Sequence, residues 1–323
     1  MAFENDRQIF RERLQEFPNL FQLKHYSQLP LNRMEKILET LKSERIDDSS
    51  YRSPAESTCI SNLIAFLLFL ANDVDNAVEE INKVLSSPNN DTNIVALANM
   101  AVIKWEIGDR MEGETIIERL QELSEQGNFE DKVIDAKAEM AYCYSRMGMS
   151  FASRAEDIFE EVVEARPHEY TWKYGLAKIL RRFTQSTYIL FFRISFELAS
   201  QKSLRAFDLL LEIKNSRAPG GERAQALTEL GLLLQLKWNK QFSRLVDRAE
   251  EERITAQQCF EEAVELAPED PYVLTHVGNF YNYAKQLDKS RQLLQRAIEI
   301  RPTTTSYHLS WEDTCTHVNY PKS

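Results

Sequence analysis

In the stretch CFEEAVELAPEDPYVLTHVGNFY, residues 259–281, two prolines three residues apart interrupt an apolar rhythm that is otherwise helical. Ala256, Phe260, Ala263 and Val264 recur at the spacing of one helix face, and Glu261, Glu262 and Glu265 point away from it. Pro268 lacks a backbone donor and restricts the residue before it, so the first helix should end near Ala267. Asp270 then stands where an N-cap belongs and Pro271 at the first helical position. Leu274, Val277, Gly278 and Tyr281 trace the next helical face, on which Gly278 allows close approach of a neighbouring helix.

The pattern recurs. Pro268 and Pro302 are 34 residues apart, and LLQRAIEIRP (293–302) repeats CFEEAVELAP (259–268) with Leu294 in the place of Phe260 and Ala297 in that of Ala263. The spacing of small and large residues resembles the tetratricopeptide pattern of paired helices. Further copies start from Ala65 and Leu68 with Ala77, Ile81 and Val84, and from Ala141 and Tyr144 with Ala155, Phe159 and Val162. Looser ones run from Val95 to Leu120, from Trp172, Gly175 and Leu176, and from Leu227, Leu230, Gly231 and Leu234. In the last, about 13 residues are inserted before Ala256, and the helix formers of LVDRAEEERITAQQ predict a lengthened helix pair there. SRAPGGER (216–223) reads as the one outright linker.

The expected fold is therefore all-α, a tetratricopeptide-type helical repeat solenoid of five to six helix pairs over residues 51–302. Residues 1–50, with amphipathic LNRMEKILETLKSE, should form N-terminal capping helices, and 303–323 the start of a further helix or a tail. With 43% hydrophobic residues, nine glycines and ten prolines in 323 residues, the composition fits a packed helical body and argues against disorder or an all-β fold.

MAFENDRQIF has no apolar core of a signal peptide, and the longest apolar run, 63–71, is too short to cross a bilayer, so the expectation is a cytosolic protein without a membrane partner. Cys59, Cys143, Cys259 and Cys315 form no CxxC pair and read as buried thiols. The five histidines are scattered, and His308, Cys315 and His317 lie in a terminal tail. No HExxH, phosphate loop or GxSxG motif is present, so no enzyme, metal site or cofactor is expected.

Charge is unevenly placed. Residues 170–206 hold seven basic residues (Lys173, Lys178, Arg181, Arg182, Arg193, Lys202, Arg205) against one acid, Glu197, and so carry +6 in a chain of net charge −11. Arg181 and Arg182 stand among Trp172, Tyr174, Phe183, Tyr188, Phe191 and Phe192, and interleaved cations and aromatic rings can hold phosphates and stack bases. The structural alternative is that the rings are core and the cations a solvated face. Arg193 in ILFFRISF is flanked by apolar residues on both sides and calls for a buried partner or a water-filled channel.

PYVLTHVGNFYNYAKQLDKSRQLLQRAIEIRPTTTSYHL and IFEEVVEARPHEYTWKYGLAKILRRF, in this order of elements, resemble the interferon-induced proteins with tetratricopeptide repeats, the IFIT family. They are similar, to a lesser degree, to tetratricopeptide repeat protein 22. The first resemblance implies a non-enzymatic, antiviral cytosolic protein. Some members of that family hold the 5′ end of foreign RNA in a basic inner channel, and others act through protein partners. Arg182 falls where the family has a phosphate-contacting arginine, and Arg33 where one member has a channel arginine. Arg146, with Tyr142 one turn earlier, matches a basic residue preceded by an aromatic one. The family's Arg-Tyr pair after YVL is here Thr275 and His276, and its His-Gln pair after the next proline is Leu309 and Ser310. The end at Ser323 leaves out the C-terminal third expected of the family. The candidate RNA-binding residues are thus Arg33, Tyr142, Arg146, Lys178, Arg181, Arg182 and Arg193. The competing expectation is a protein-interaction scaffold whose concave groove takes a partner helix or peptide. Homo- or hetero-oligomers are compatible with both.

Overall fold

The computed structural model describes residues 2–22, 29–47, 53–184, 195–235 and 242–302, and every regular element among them is a helix. The chain divides into two compact units, Met1–Ala165 and Arg166–Ser323. The first holds α1 (Ala2–Leu14), α2 (Leu31–Asp47), α3 (Pro54–Leu70), α4 (Val74–Leu85), α5 (Ile94–Glu106), α6 (Arg110–Ser124), α7 (Phe129–Arg146) and α8 (Ala152–Ala165). The second holds α9 (Tyr170–Phe183), α10 (Phe196–Lys214), α11 (Gly220–Leu234), α12 (Ser243–Glu251), α13 (Ala256–Leu266), α14 (Pro271–Tyr283) and α15 (Leu287–Ile300).

The segment with two prolines folds as its chemistry dictates. Thr255 and Gln258 close a capping box at the start of α13, and the helix stops at Ala267, whose φ of −140° leaves the helical region. The Asp270 carboxylate accepts from the backbone N–H groups of Tyr272 (2.8 Å) and Val273 (3.4 Å), and Pro271 opens α14. In the first unit α3 packs on α4, α5 on α6 and α7 on α8; in the second α9 packs on α10, α11 on α13 and α14 on α15. The chain is thus an all-α tetratricopeptide-type repeat. The first helices also touch one another, α3 with α5 and α7 in one unit and α11 with α9 and α14 in the other. The described candidate site residues fall on these first helices within each unit, except Arg33, which stands on α2.

Within four pairs the connecting turn passes through one left-handed residue, Asn72 (φ 64°), Gly108 (φ 92°), Gly148 (φ 99°) or Lys285 (φ 62°), which reverses the chain so that the second helix lies back along the first. Two small residues set the helix crossings. A Cβ on Gly231 would stand 2.6 Å from the Phe260 ring, and one on Gly278 would stand 2.8 Å from Leu294. The equivalence of Phe260 and Leu294 read from the repeat is therefore physical, since each fills the space left by a glycine on the partner helix.

Two readings change. The residues inserted before Ala256 do not lengthen a helix pair: α12 is a separate helix of nine residues packed on α10 and α11, and it ends because Arg253 turns left-handed (φ 56°) before Thr255 caps α13. The stretch 216–223 is no extended linker. Ser216 Oγ accepts from Ala218 N (3.0 Å), Ala218 is buried, and Gly220 already opens α11, so the two helices meet across a tight turn. At the N-terminus α1 lies on α6 and on the end of α5, where Phe10 stacks on Trp105 at 4.1 Å and Arg7 pairs with Glu106 at 2.5 Å, while α2 lies on α3.

Candidate nucleic-acid interface

In the first unit, one face of α7 carries Glu139, Tyr142, Cys143 and Arg146 at helical spacing. Glu139 is buried and accepts from the Asn62 and Asn93 side-chain amides, the latter at 2.9 Å. Burial pushes its carboxyl above the usual range against the opposing pull of these hydrogen bonds. The Tyr142 hydroxyl donates to Glu56 Oε1 at 3.0 Å. Burial also raises the Cys59 and Cys143 thiols, so both are protonated at neutral pH. Arg33, exposed on α2, lays its guanidinium over Gly148: a Cβ there would fall 1.9 Å from Nη2. The structure therefore brings Arg33 to the turn that follows half-buried Arg146, on the helix that also bears Tyr142.

In the second unit, α9 carries Tyr174, Lys178, Arg181 and Arg182, residues that share one face or its edge. Arg181 Nε donates to Glu229 Oε2 from α11, and the Tyr272 hydroxyl from α14 donates to Glu229 Oε1. The Glu229 side chain is 0% exposed and that of Arg181 13%. Burial alone would raise the Glu229 carboxyl. The charges of Arg181 and Lys178 and the two hydrogen bonds outweigh it and hold the group at about 2. Lys178 Nζ lies 4.7 Å from the Tyr272 ring centroid and 5.4 Å from that of Tyr174, a cation over two aromatic faces. His276 packs edge-on against Tyr272 at 4.4 Å and is lowered to about 4, by burial and by the neighbouring Arg181 and Lys178, so it is neutral at pH 7. Thr275 is buried, its hydroxyl donating to the Pro271 carbonyl at 2.7 Å.

The candidates thus fall into two groups, Arg33, Tyr142 and Arg146 in the first unit and Lys178, Arg181 and Arg182 in the second. Arg193, with Tyr188, Phe191 and Phe192, lies outside the described residues, as do His308, Cys315 and His317. Elsewhere in the basic stretch, Lys173 is buried and paired with Glu212, and Lys202 lies 4.6 Å over the Phe183 ring. Sequence reasoning missed Glu229, Tyr272 and Glu139. Glu229 had a signal: a single carboxylate in ALTELGLLL has apolar neighbours on both sides, the same anomaly that singled out Arg193. Among the described residues no group of three or more His, Cys, Asp or Glu could hold a metal ion, and no helix is long and apolar enough to cross a membrane.

The titration of this cluster predicts acid lability of the second unit. Folded Glu229 sits at about 2 against an ordinary 4.5, so the stability from its ionisation is full above 4.5 and is lost as pH falls towards 2. His276 at about 4 is also below its ordinary 6.5, so between these values the unfolded chain takes up a proton that the folded chain does not. Both lose stability as pH falls, and His276 alone contributes at most about 3 kcal/mol of loss between pH 6.5 and 4. Thermal unfolding followed from pH 7.5 to 4 should show a falling midpoint, and His276→Gln should flatten the part between pH 6.5 and 5. An unchanged slope in that variant would refute the assignment to His276.

No established family profile matches the chain. Solved structures do. The fold is similar to that of a monomeric mutant of IFIT1 with Gppp-AAAA, with a TM-score of 0.66 and 17% identity over 97% of this chain and 66% of that one. It is similar to the human IFIT1 dimer with m7Gppp-AAAA (TM-score 0.64, 18% identity, 96% of this chain and 65% of that one). The human IFIT1 dimer with PPP-AAAA gives a TM-score of 0.62 at 18% identity, over 96% of this chain and 63% of that one. The chain thus spans 63–66% of the length of these proteins, and at such identity the likeness establishes the fold. These structures bear on the first of the two resemblances only.

Proposed function

We propose that the chain is a non-catalytic, cytosolic helical-repeat binding protein of innate antiviral defence that takes RNA, at or near a 5′ end, on its first-helix layer. The observation that carries this reading is the grouping of Lys178, Arg181 and Arg182 on α9 with Tyr174 and Tyr272, cations set beside aromatic rings that can meet phosphates and bases together. Arg33, Tyr142 and Arg146 supply a corresponding group in the first unit. The likeness in fold to IFIT1 bound to capped and triphosphate RNA supports the same reading. A protein partner, docking as a helix or peptide on this layer, is the second reading. It is favoured by the carboxylates of Glu56 and Glu139 beside the first group and of Glu229 beside the second, which a polyanion meets unfavourably.

The deciding experiment is titration of purified full chain against a labelled single-stranded RNA, followed by fluorescence anisotropy. With three phosphate contacts, raising salt from 50 to 200 mM should weaken binding by about 20-fold through counterion release. Arg182→Glu should remove measurable binding, with circular dichroism checking that the helical fold is retained. Absence of any salt-dependent binding to RNA, whatever its 5′ end, would leave the protein-partner reading.

A further inference from the structure

We propose that Glu229 is a positioning residue of the second unit's face: it ties the Arg181 guanidinium by Nε and so aims the terminal edge of that group at an RNA phosphate. This rests on the RNA reading above and gives a role in it to a residue that carries the wrong charge for RNA.

Arg181 Nε donates to Glu229 Oε2. Among the described residues neither terminal Nη of Arg181 donates a hydrogen bond, and neither is one of the fully buried polar atoms left without a partner, so the edge formed by the two Nη groups is open. A guanidinium can serve two anions in one plane, the first through Nε and the second through its terminal fork, whereas a lysine ammonium is a single point. The fork matches two oxygens of one phosphate.

The anchor is stiff. The Glu229 side chain is 0% exposed on α11, and its other oxygen accepts from the Tyr272 hydroxyl of α14, so three helices meet at this carboxylate. Arg181 itself is only 13% exposed along its side chain, which leaves it little room to swing. For stability alone an apolar pair of similar volume would serve as well in this space. What the ion pair adds is direction, because a guanidinium already tied by one donor loses less freedom on meeting a phosphate than a solvated one does. The carboxylate stands on the Nε side, so it orients the cation without occupying the terminal edge.

The test alters geometry and keeps charge. Arg181→Lys and Glu229→Asp each preserve the charge at their position, so a face that works by charge alone would bind RNA equally well in both. Wild-type full chain and variants are titrated by fluorescence anisotropy with one labelled single-stranded RNA at low and high salt, with circular dichroism as the check on fold. Arg181→Lys should bind about tenfold more weakly, the worth of one charge-assisted hydrogen bond. Glu229→Asp should bind about three- to tenfold more weakly, because a carboxylate one methylene shorter does not reach Arg181 and Tyr272 together. In an Arg181→Ala background the same Glu229→Asp should change affinity by less than about twofold, since no guanidinium is left to aim. Wild-type affinity in either single variant overturns the proposal and leaves the RNA reading in place. Equal weakening by Glu229→Asp with and without Arg181 also overturns it, since that is the mark of a purely structural role. Absence of salt-dependent binding by the wild type removes the RNA reading itself. If Glu229→Asp loses its helical circular dichroism, Arg181→Lys decides alone.

Discussion

Glu229→Ala should cost about 3–5 kcal/mol and lower the thermal midpoint of the second unit by about 10 °C. The reason is what the substitution leaves behind rather than what it removes. Arg181, 13% exposed along its side chain, would hold a charge with no counter-ion, and the Tyr272 hydroxyl would lose its acceptor. The paired replacement Glu229→Leu with Arg181→Met should recover most of the loss, because two apolar side chains of similar volume satisfy the same space without the cost of desolvating two ions. Circular dichroism melts of Glu229→Leu, Arg181→Met and the double variant, with wild type, form a cycle that isolates the coupling. A midpoint within about 2 °C of wild type for Glu229→Ala would mean that the pair does not hold α9 to α11, and would weaken the case for an anchored Arg181 as well.

The same pair marks where the sequence stops being legible. Helix ends near Ala267 and Asp270 could be read because a proline and a capping carboxylate act within a few residues of where they stand. The repeat could be read because Phe260 and Leu294 recur at a fixed interval and do the same packing against Gly231 and Gly278. By contrast, Arg181 and Glu229 are 48 residues apart, and Tyr142 and Glu56 are 86 apart; each contact exists only because first helices of different pairs lie side by side. A basic stretch rich in aromatics therefore shows which helix carries these cations but not what Arg181 pairs with. The separate α12 was hidden for another reason. The strong helix formers around Glu250 say nothing of a left-handed residue at Arg253, and propensity alone favours running the helix through it.

The packing of glycine against a large side chain supplies the other large effect. Phe260→Ala should destabilise the second unit by about 3–5 kcal/mol, because the ring is fully buried and faces Gly231, which has no side chain to move into the space. Gly231→Ala alone should also destabilise, by about 1–3 kcal/mol, since its Cβ would meet the ring at 2.6 Å and force the helices apart. Combined with Phe260→Ala, however, the same Gly231→Ala should become stabilising: the clash is gone, the added methyl fills part of the cavity, and alanine is the better helix former by about 1 kcal/mol. That change of sign is the diagnostic outcome. Urea unfolding of the four proteins measures it, and strict additivity of the two substitutions would mean that α11 and α13 do not cross with Gly231 against Phe260, undoing the account of how a helix pair interrupted by α12 still packs as one repeat.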